Sequence, residues 1–413
     1  MKHSDWTTTT LGEIASFKSG GTPSKQNEEF WGGQHPWISA KDLKTHYLST
    51  SIDTLTDKGF TESKRAPLGS SLVLVRGMTL LKDFPVGYAS KELAFNQDIK
   101  ALVPKPGIDP LFLSYLLVSK KDFFLQNVSV AGHGTGKLET EILKELPVVI
   151  PPTTEQTKIA QVLSTWDKAI ATTERLLANS QQQKQSLMQQ LLTGKKRFVG
   201  FSGTWYTRKL SEISTRIQRK SDGEEHPILT ISSLSGFVSQ EEKYSRYMAG
   251  ESVNNYIQLN QGEFAYNKGN SKTYQYGCVF KLDSFATGLV PHVYVCFKLN
   301  QGFDPWYYSQ LFAADYLKDQ LAGLVNTGVR NNGLLNIKPS AFLDTTVPVP
   351  PLAEQQKIAK VLSTADAEIA NLQAQLDKLK LEKKALMQQL LTGKRRVRLD
   401  DEEEDVAPIR RVG

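Results

Sequence analysis

Residues 151–197 read PPTTEQTKIAQVLSTWDKAIATTERLLANSQQQKQSLMQQLLTGKKR, and residues 350–396 read PPLAEQQKIAKVLSTADAEIANLQAQLDKLKLEKKALMQQLLTGKRR. The two stretches align without a gap at an offset of 199, with 26 of 47 positions identical. The same offset pairs Trp6 with Trp205, Leu11 with Leu210, Glu13 with Glu212 and Ile14 with Ile213. Self-similarity at a fixed spacing marks internal duplication, so the chain runs segment, repeat, segment, repeat. The repeats are near copies, whereas the segments between them are not. Near-identical repeats suggest one kind of partner held twice. Divergent segments suggest two different things recognised.

Each repeat reads as one long helix. In the first, steps of four and three visit Ile159, Leu163, Trp166, Ile170, Thr173, Leu177, Ser180, Lys184, Leu187 and Leu191. In the second they visit Ile358, Leu362, Ala365, Ile369, Leu372, Leu376, Leu379, Lys383, Leu386 and Leu390. That alternation is the period of a left-handed coiled coil. Pro151-Pro152 and Pro350-Pro351 exclude an earlier start. Glu155 and Glu354 fall in the first turn, where the helix dipole favours an anion. Gly194 and Gly393, followed by Lys195-Lys196-Arg197 and Lys394-Arg395-Arg396, are the C-terminal stops. A helix of about 40 residues spans roughly 60 Å.

One such helix cannot bury its stripe, so the two are expected to pair. Antiparallel pairing suits a chain that must return between them and relates the halves by an approximate two-fold axis. In that register Lys184 lies by Ala365 and Lys383 by Trp166. Such a polar layer either fixes register or holds lysines that snorkel out of a wide layer. A second stripe, Val162, Met188 and Leu192 with Val361, Met387 and Leu391, sits beside the first. It either packs on the chain's own segments or forms a face for a partner subunit, and the unchanged string LMQQLLTGK favours the partner.

Composition sets the class. The 413 residues suffice for two or three domains, and 39% hydrophobic with 23% charged residues is ordinary for a soluble globular chain. No apolar run approaches a membrane span and MKHSDWTTTT lacks a signal-peptide core, so a cytoplasmic location is expected. Cys278 and Cys296 are the two cysteines, which implies neither a disulfide framework nor a zinc site. The net charge is +7, yet residues 1–150 hold 17 basic against 16 acidic side chains and residues 200–349 hold 14 against 13. Any nucleic-acid face must therefore be a local patch.

The segments mix strands and helices. Strands are expected near His35–Ala40, Ser71–Arg76, Asp98–Val103 and Leu146–Ile150, and near Ile228–Ser232, Glu263–Asn267, Gly277–Lys281 and Val293–Lys298. A helix is expected after Asp109-Pro110 and after Asp304-Pro305, and turns at Thr135-Gly136 and Thr327-Gly328. The two segments thus read as one fold with diverged surfaces. The acidic run DDEEED (400–405) reads as part of a solvated, mobile tail.

No motif supplies catalysis. AGHGTGKLE (131–139) departs from a phosphate-binding loop at Ala131 and Leu138. No H-E-x-x-H, no G-x-S-x-G elbow and no methyltransferase Asn/Asp-Pro-Pro-Tyr/Phe string occurs, and the six histidines form no metal-ligand cluster. No catalytic or metal-binding residue is expected. What remains is a set of polar and basic loop residues suited to phosphates and base edges. They are Ser39 and Lys41 in WISAKDL, Arg76 and Thr79 in VRGMTLLK, Asn96 and Gln97 in FNQD, and His133, Thr135 and Lys137. In the second segment they are Ser232, Lys268, Asn270, Lys272, Thr273, Arg330, Asn331 and Asn332.

Taken together, the W…LGEIA opening, EQxKIAxVLS and LMQQLLTGK in both repeats, and WISAKDL, VRG, FNQDIKAL and TGKLE resemble the DNA specificity subunit of type I restriction–modification systems. The resemblance covers about residues 1–397. It implies an α+β architecture of two similar α/β target-recognition domains (1–150 and 198–349), separated by two spacer helices (151–197 and 350–396). The spacers pair as a pseudo-two-fold antiparallel coiled coil, and 397–413 is a charged tail. It further implies that each domain reads one half of a bipartite site in double-stranded DNA. Two copies of a DNA adenine methyltransferase subunit would dock on the chain, and two restriction subunits would join the full complex. The chain itself would bind no cofactor, S-adenosylmethionine belonging to the methyltransferase. Segment two reads TISSLSG and VPHVYV where segment one has WISAKDL and FNQD, so its contacts are expected to differ. The other reading is a helical tether whose segments bind proteins.

Overall fold

The computed structural model describes residues 5–131, 134–243, 253, 255–269, 271–325 and 335–398. The chain divides into two units, Met1–Glu174 with Gln375–Gly413, and Arg175–Ala374. The division falls inside both repeats, so each unit holds one globular segment and half of each long helix.

The long helices are Thr153–Leu191 and Leu352–Leu390, each starting just after its proline pair. Gly194 and Gly393, both at φ 70°, turn the chain away beyond the last helical leucines. In the first unit Asp167 pairs with Lys383 and Glu174 with Lys380, so one half-helix descends as the other rises. In the second unit Lys184 pairs with Asp366, and Ser180 donates to Glu368 at 3.0 Å. Each half-helix pair is therefore antiparallel. The lysines expected beside Trp166 and Ala365 reach the aspartates one residue further on. The layer is polar because it is ion-paired.

The stripe residues are buried to different depths. Ile159, Leu163, Leu177, Leu191, Ile358, Leu362, Leu376 and Leu390 are buried. Trp166, Ile170, Leu187, Ile369 and Leu386 are half-buried. Ile159, Leu163 and Leu390 share one core with Leu11, Leu72, Phe95 and Phe112, so this stripe also packs on the globular segment.

The second stripe corrects an expectation. Met387 and Leu391 are buried in the core of the first unit, with Val162 packed against it. Leu192 is buried in the core of the second unit, with Met188 and Val361 packed against it. Leu192, Met387 and Leu391 are thus covered by the chain's own segments, while Val162, Met188 and Val361 are half-buried against the same cores. The reason is area: a globular segment must bury its own apolar side somewhere, and the neighbouring helix face is where it does so.

A four-strand order is shared by both units, with a fifth strand added in the first. In the first, a sheet runs in the order Ala15–Ser19, Ile99–Pro104, Ser71–Leu74, Val86–Ala89, Tyr47–Leu48. In the second, the order is Ser214–Ile217, Val295–Leu299, Phe264–Asn267, Cys278–Lys281. Beside each lies an antiparallel pair, Thr7–Thr10 with Pro147–Ile150 and Tyr206–Lys209 with Thr346–Val349. The strand Trp31–Ile38 pairs in parallel with Leu93–Phe95, and a single parallel bridge between Ile228 and Leu289 stands in the matching place. Helices Pro110–Ser119 and Pro305–Ala313 follow the two Asp-Pro pairs. Asp109 accepts from the Leu111 and Phe112 amides, and Asp304 from that of Tyr307.

All eight expected strands are present, the first beginning earlier, at Trp31. Thr135-Gly136 is not a turn: Thr135–Lys137 is a strand between Ser129–Ala131 and Arg76–Gly77. Thr327-Gly328 and the acidic run lie outside the described residues. No helix among the described residues is long and apolar enough to cross a membrane.

Candidate nucleic-acid interface

Sequence-distant loops of the first segment meet at one end of its sheet. The Asn96 amide donates to Ile38 O at 2.9 Å, joining FNQD to WISAKDL. The Val75 amide donates to Asp98 O at 2.8 Å and the Leu138 amide to Val75 O at 2.9 Å, which adds VRGMTLLK and TGKLE. Gly77, at φ 145°, allows the sharp passage from strand to the short helix Met78–Leu81. Thus Ser39, Arg76, Thr79, Asn96, Gln97 and Lys137, spread over about 100 residues of chain, are carried on neighbouring loops, short strands and a short helix.

Their environments differ. Lys41, Arg76, Thr79 and Gln97 are exposed. Lys41 and Arg76 have no ion-pair partner among the described residues. Lys137, the register partner of Arg76, pairs with Glu139 at 2.6 Å. Ser39 closes a turn, its amide and hydroxyl both donating to Asp42 Oδ2 at 2.8 Å. Asn96 is buried at 8% exposure, and its carboxamide accepts from the Asp98 amide at 3.2 Å. It shapes the turn and leaves Gln97 as the outward member of the pair. Thr135 is half-buried within its strand, and His133 lies outside the described residues.

A further loop belongs to this end and was absent from the sequence-based set. Ser19-Gly20-Gly21-Thr22 lies against the Phe95–Gln97 turn. A β-carbon on Gly20 would stand 2.1 Å from Asn96 O, so only glycine fits. The Thr22 hydroxyl donates to Gln97 Oε1 at 2.7 Å. The signal that could have found it was the glycine pair at the end of a strand.

In the second unit the loops occupy matching topological positions. Lys268, Lys272 and Thr273 follow the strand Phe264–Asn267, as Arg76 and Thr79 follow Ser71–Leu74. Lys272 and Thr273 are exposed, and the Ser271–Tyr274 turn holds the loop through two hydrogen bonds of 2.9 Å. Lys268 is half-buried, and its carbonyl accepts from the Leu335 amide at 3.1 Å. Ser232 ends one strand of a hairpin whose tip residue Leu234 is 84% exposed. Asn270, Arg330, Asn331 and Asn332 lie outside the described residues.

No three His, Cys, Asp or Glu side chains gather to hold a metal ion among the described residues. Cys278 and Cys296 are buried, and burial pushes the Cys296 thiol up to about 12, where it is an unreactive neutral group. The loops offer donors and acceptors for a polyanion with patterned edges.

The described family "Type I restriction modification DNA specificity domain" matches residues 3–179 and 203–381. The chain is 31% identical over 161 residues to the specificity subunit of the Escherichia coli type I restriction enzyme EcoR124I/EcoR124II. That stretch covers 38% of this chain and spans 40% of the relative. It is 24% identical over 421 residues to the MjaVIII specificity subunit of Methanocaldococcus jannaschii, covering 95% of this chain and 94% of that one. The crystal structure of a type I restriction–modification S subunit from M. genitalium shares its fold, with a TM-score of 0.60 at 16% identity over 95% of this chain and 97% of that one. With both halves matched, the chain belongs to the family of type I restriction–modification DNA specificity domains.

Proposed function

We propose that this chain is the sequence-reading subunit of a type I restriction–modification complex. Its two globular segments each read one half of a bipartite, asymmetric site in double-stranded DNA. One observation carries the reading: a shared four-strand order occurs twice, with unlike polar loops in matching positions. A repeated frame with different tips suits two different half-sites, since phosphate contacts position a protein while base contacts specify. The free charges of Lys41 and Arg76 and the outward carboxamide of Gln97 are the side-chain types that make those contacts.

In this reading the chain itself performs no catalysis and acts in the cytoplasm. Two DNA adenine methyltransferase subunits, which would carry S-adenosylmethionine, dock on it, and two restriction subunits complete the assembly. The test is modification mapping of genomic DNA from a methylation-free host that produces this chain with its methyltransferase, each subunit being omitted in turn. A bipartite modified motif that requires both proteins is the expected result. No motif, with both proteins produced and associated, would return the weight to a protein tether.

A further inference from the structure

We propose that Thr22 is a positioning residue for base recognition. Its hydroxyl holds the Gln97 carboxamide in one orientation, and so sets which purine the first segment accepts at one position of its half-site. The inference rests on the DNA-reading role proposed above.

Thr22 and Gln97 stand 75 positions apart in sequence, and both are exposed. An exposed glutamine samples several rotamers, and fixing one costs conformational entropy at the moment of binding. Here the fixing partner is itself held on the same frame. The Gly21 amide donates to Phe95 O at 2.8 Å, two residues before Gln97. The Gly21 carbonyl accepts from the Trp37 indole at 3.1 Å, and Trp37 is only 4% exposed. Gly20 is pressed against Asn96 O. Gly20 and Gly21 thus hold the loop against the Phe95–Gln97 turn and against Trp37, and Thr22 follows directly. These backbone contacts bring the two residues close enough for the hydroxyl and the carboxamide to meet.

The chemical consequence concerns which end of the amide faces outward. A carboxamide carries an acceptor oxygen and a two-donor nitrogen. With Oε1 engaged by Thr22, Nε2 is the end left for a base edge. Purine edges in the major groove differ in the position beside N7: adenine offers a donor there and guanine an acceptor. A nitrogen-first carboxamide suits the acceptor-rich guanine edge, whereas a freely turning one accommodates either purine. Preorganisation of this kind adds selectivity without adding a contact to DNA.

The experiment maps modification of host genomic DNA by the full chain produced with its partner methyltransferase. It compares the wild type with Thr22→Val, Thr22→Ala, Thr22→Ser and Gln97→Ala. Gln97→Ala is expected to relax one position of one half-site. Thr22→Val and Thr22→Ala should relax the same position, raising modification of sites with the other purine about tenfold. Thr22→Ser, which restores the hydroxyl, should keep wild-type selectivity, and the other half-site should be unchanged in every variant. Equal unfolding midpoints establish that all the chains are folded. The proposal is overturned if Thr22→Val and Thr22→Ala keep the selectivity that Gln97→Ala loses, or if they weaken both half-sites alike. A motif unchanged in Gln97→Ala overturns the base-reading assignment of Gln97 itself, and the positioning role with it.

Discussion

Arg396, the last residue of the second repeat, grips Glu155 near the start of the first, through Nε at 3.0 Å and Nη2 at 2.6 Å. Glu155 is 1% exposed and also accepts from the Trp6 indole at 3.1 Å. The second unit repeats the device: Arg197 meets Glu354 at 2.9 and 2.6 Å, and the Trp205 indole donates to it at 2.9 Å. Burial acts to raise the Glu354 carboxyl, but the hydrogen bonds from Arg197 and Trp205 outweigh it and hold the group below its ordinary value. Removing one partner strands a buried charge. Arg396→Ala should therefore cost about 3 kcal/mol, the lower end for a broken buried pair because the arginine is partly exposed. Urea unfolding reads this directly, and the double variant Arg396→Met with Glu155→Leu should lose less than the two single changes summed. A loss below about 0.5 kcal/mol in Arg396→Ala would put the clamp among ordinary surface pairs.

Much of this was legible in the sequence and some of it was not. The offset of 199, the helical stripes and the Asp-Pro helix starts are local patterns, and local patterns survive into structure. The sequence marks Glu155 and Glu354 as first-turn anions on a helix dipole. Their true partners, Arg396 and Arg197, lie 241 and 157 positions away, and no periodicity encodes such a meeting. The stripe of Met387 and Leu391 is legible as apolar, but what covers it depends on where a whole segment docks. At the candidate interface the polar loops were found by residue type. Burial then divided them, since FNQD does not reveal that Asn96 turns inward while Gln97 turns out.

His46 is expected to make the first unit acid-sensitive. Its ring stacks on Tyr115 at 5.0 Å, near Asp167 and Lys383, and burial lowers its pKa to about 4 from an ordinary 6.5. The depressed value means that the unfolded chain binds the proton more readily. The stability contribution is therefore complete above about pH 6.5 and is lost as pH falls toward 4. The shift corresponds to about 3 kcal/mol. In His46→Gln this part of the acid slope should vanish, while the slope due to carboxylates remains. Parallel pH-stability curves for the wild type and His46→Gln would refute the assignment.

Leu391 and Leu192 distinguish a covered stripe from a docking face. They are 4% and 1% exposed, each within the core of its own unit. Leu391→Ala or Leu192→Ala should destabilise the isolated chain by about 2–5 kcal/mol, because a cavity replaces a packed side chain. The measurement is denaturant unfolding of the chain alone. An unchanged midpoint combined with weakened methyltransferase association would restore the partner-face reading.

Arg76 should separate phosphate contact from base reading. Its guanidinium is exposed and has no ion-pair partner among the described residues, whereas its register neighbour Lys137 is already paired with Glu139. Each phosphate neutralised by a cation steepens the fall of log affinity with log salt by about 0.9. If Arg76 lies on a phosphate, Arg76→Ala lowers that slope by about one and weakens all sequences alike. If it reads a base edge, the slope holds, cognate binding loses about 1–3 kcal/mol and one position of the motif relaxes. Lys137→Ala should change the slope less than Arg76→Ala, since Glu139 offsets its charge. The test is affinity of the assembled complex for its mapped duplex across a salt series. If both variants match the wild type at every salt concentration, DNA does not approach this end of the first segment.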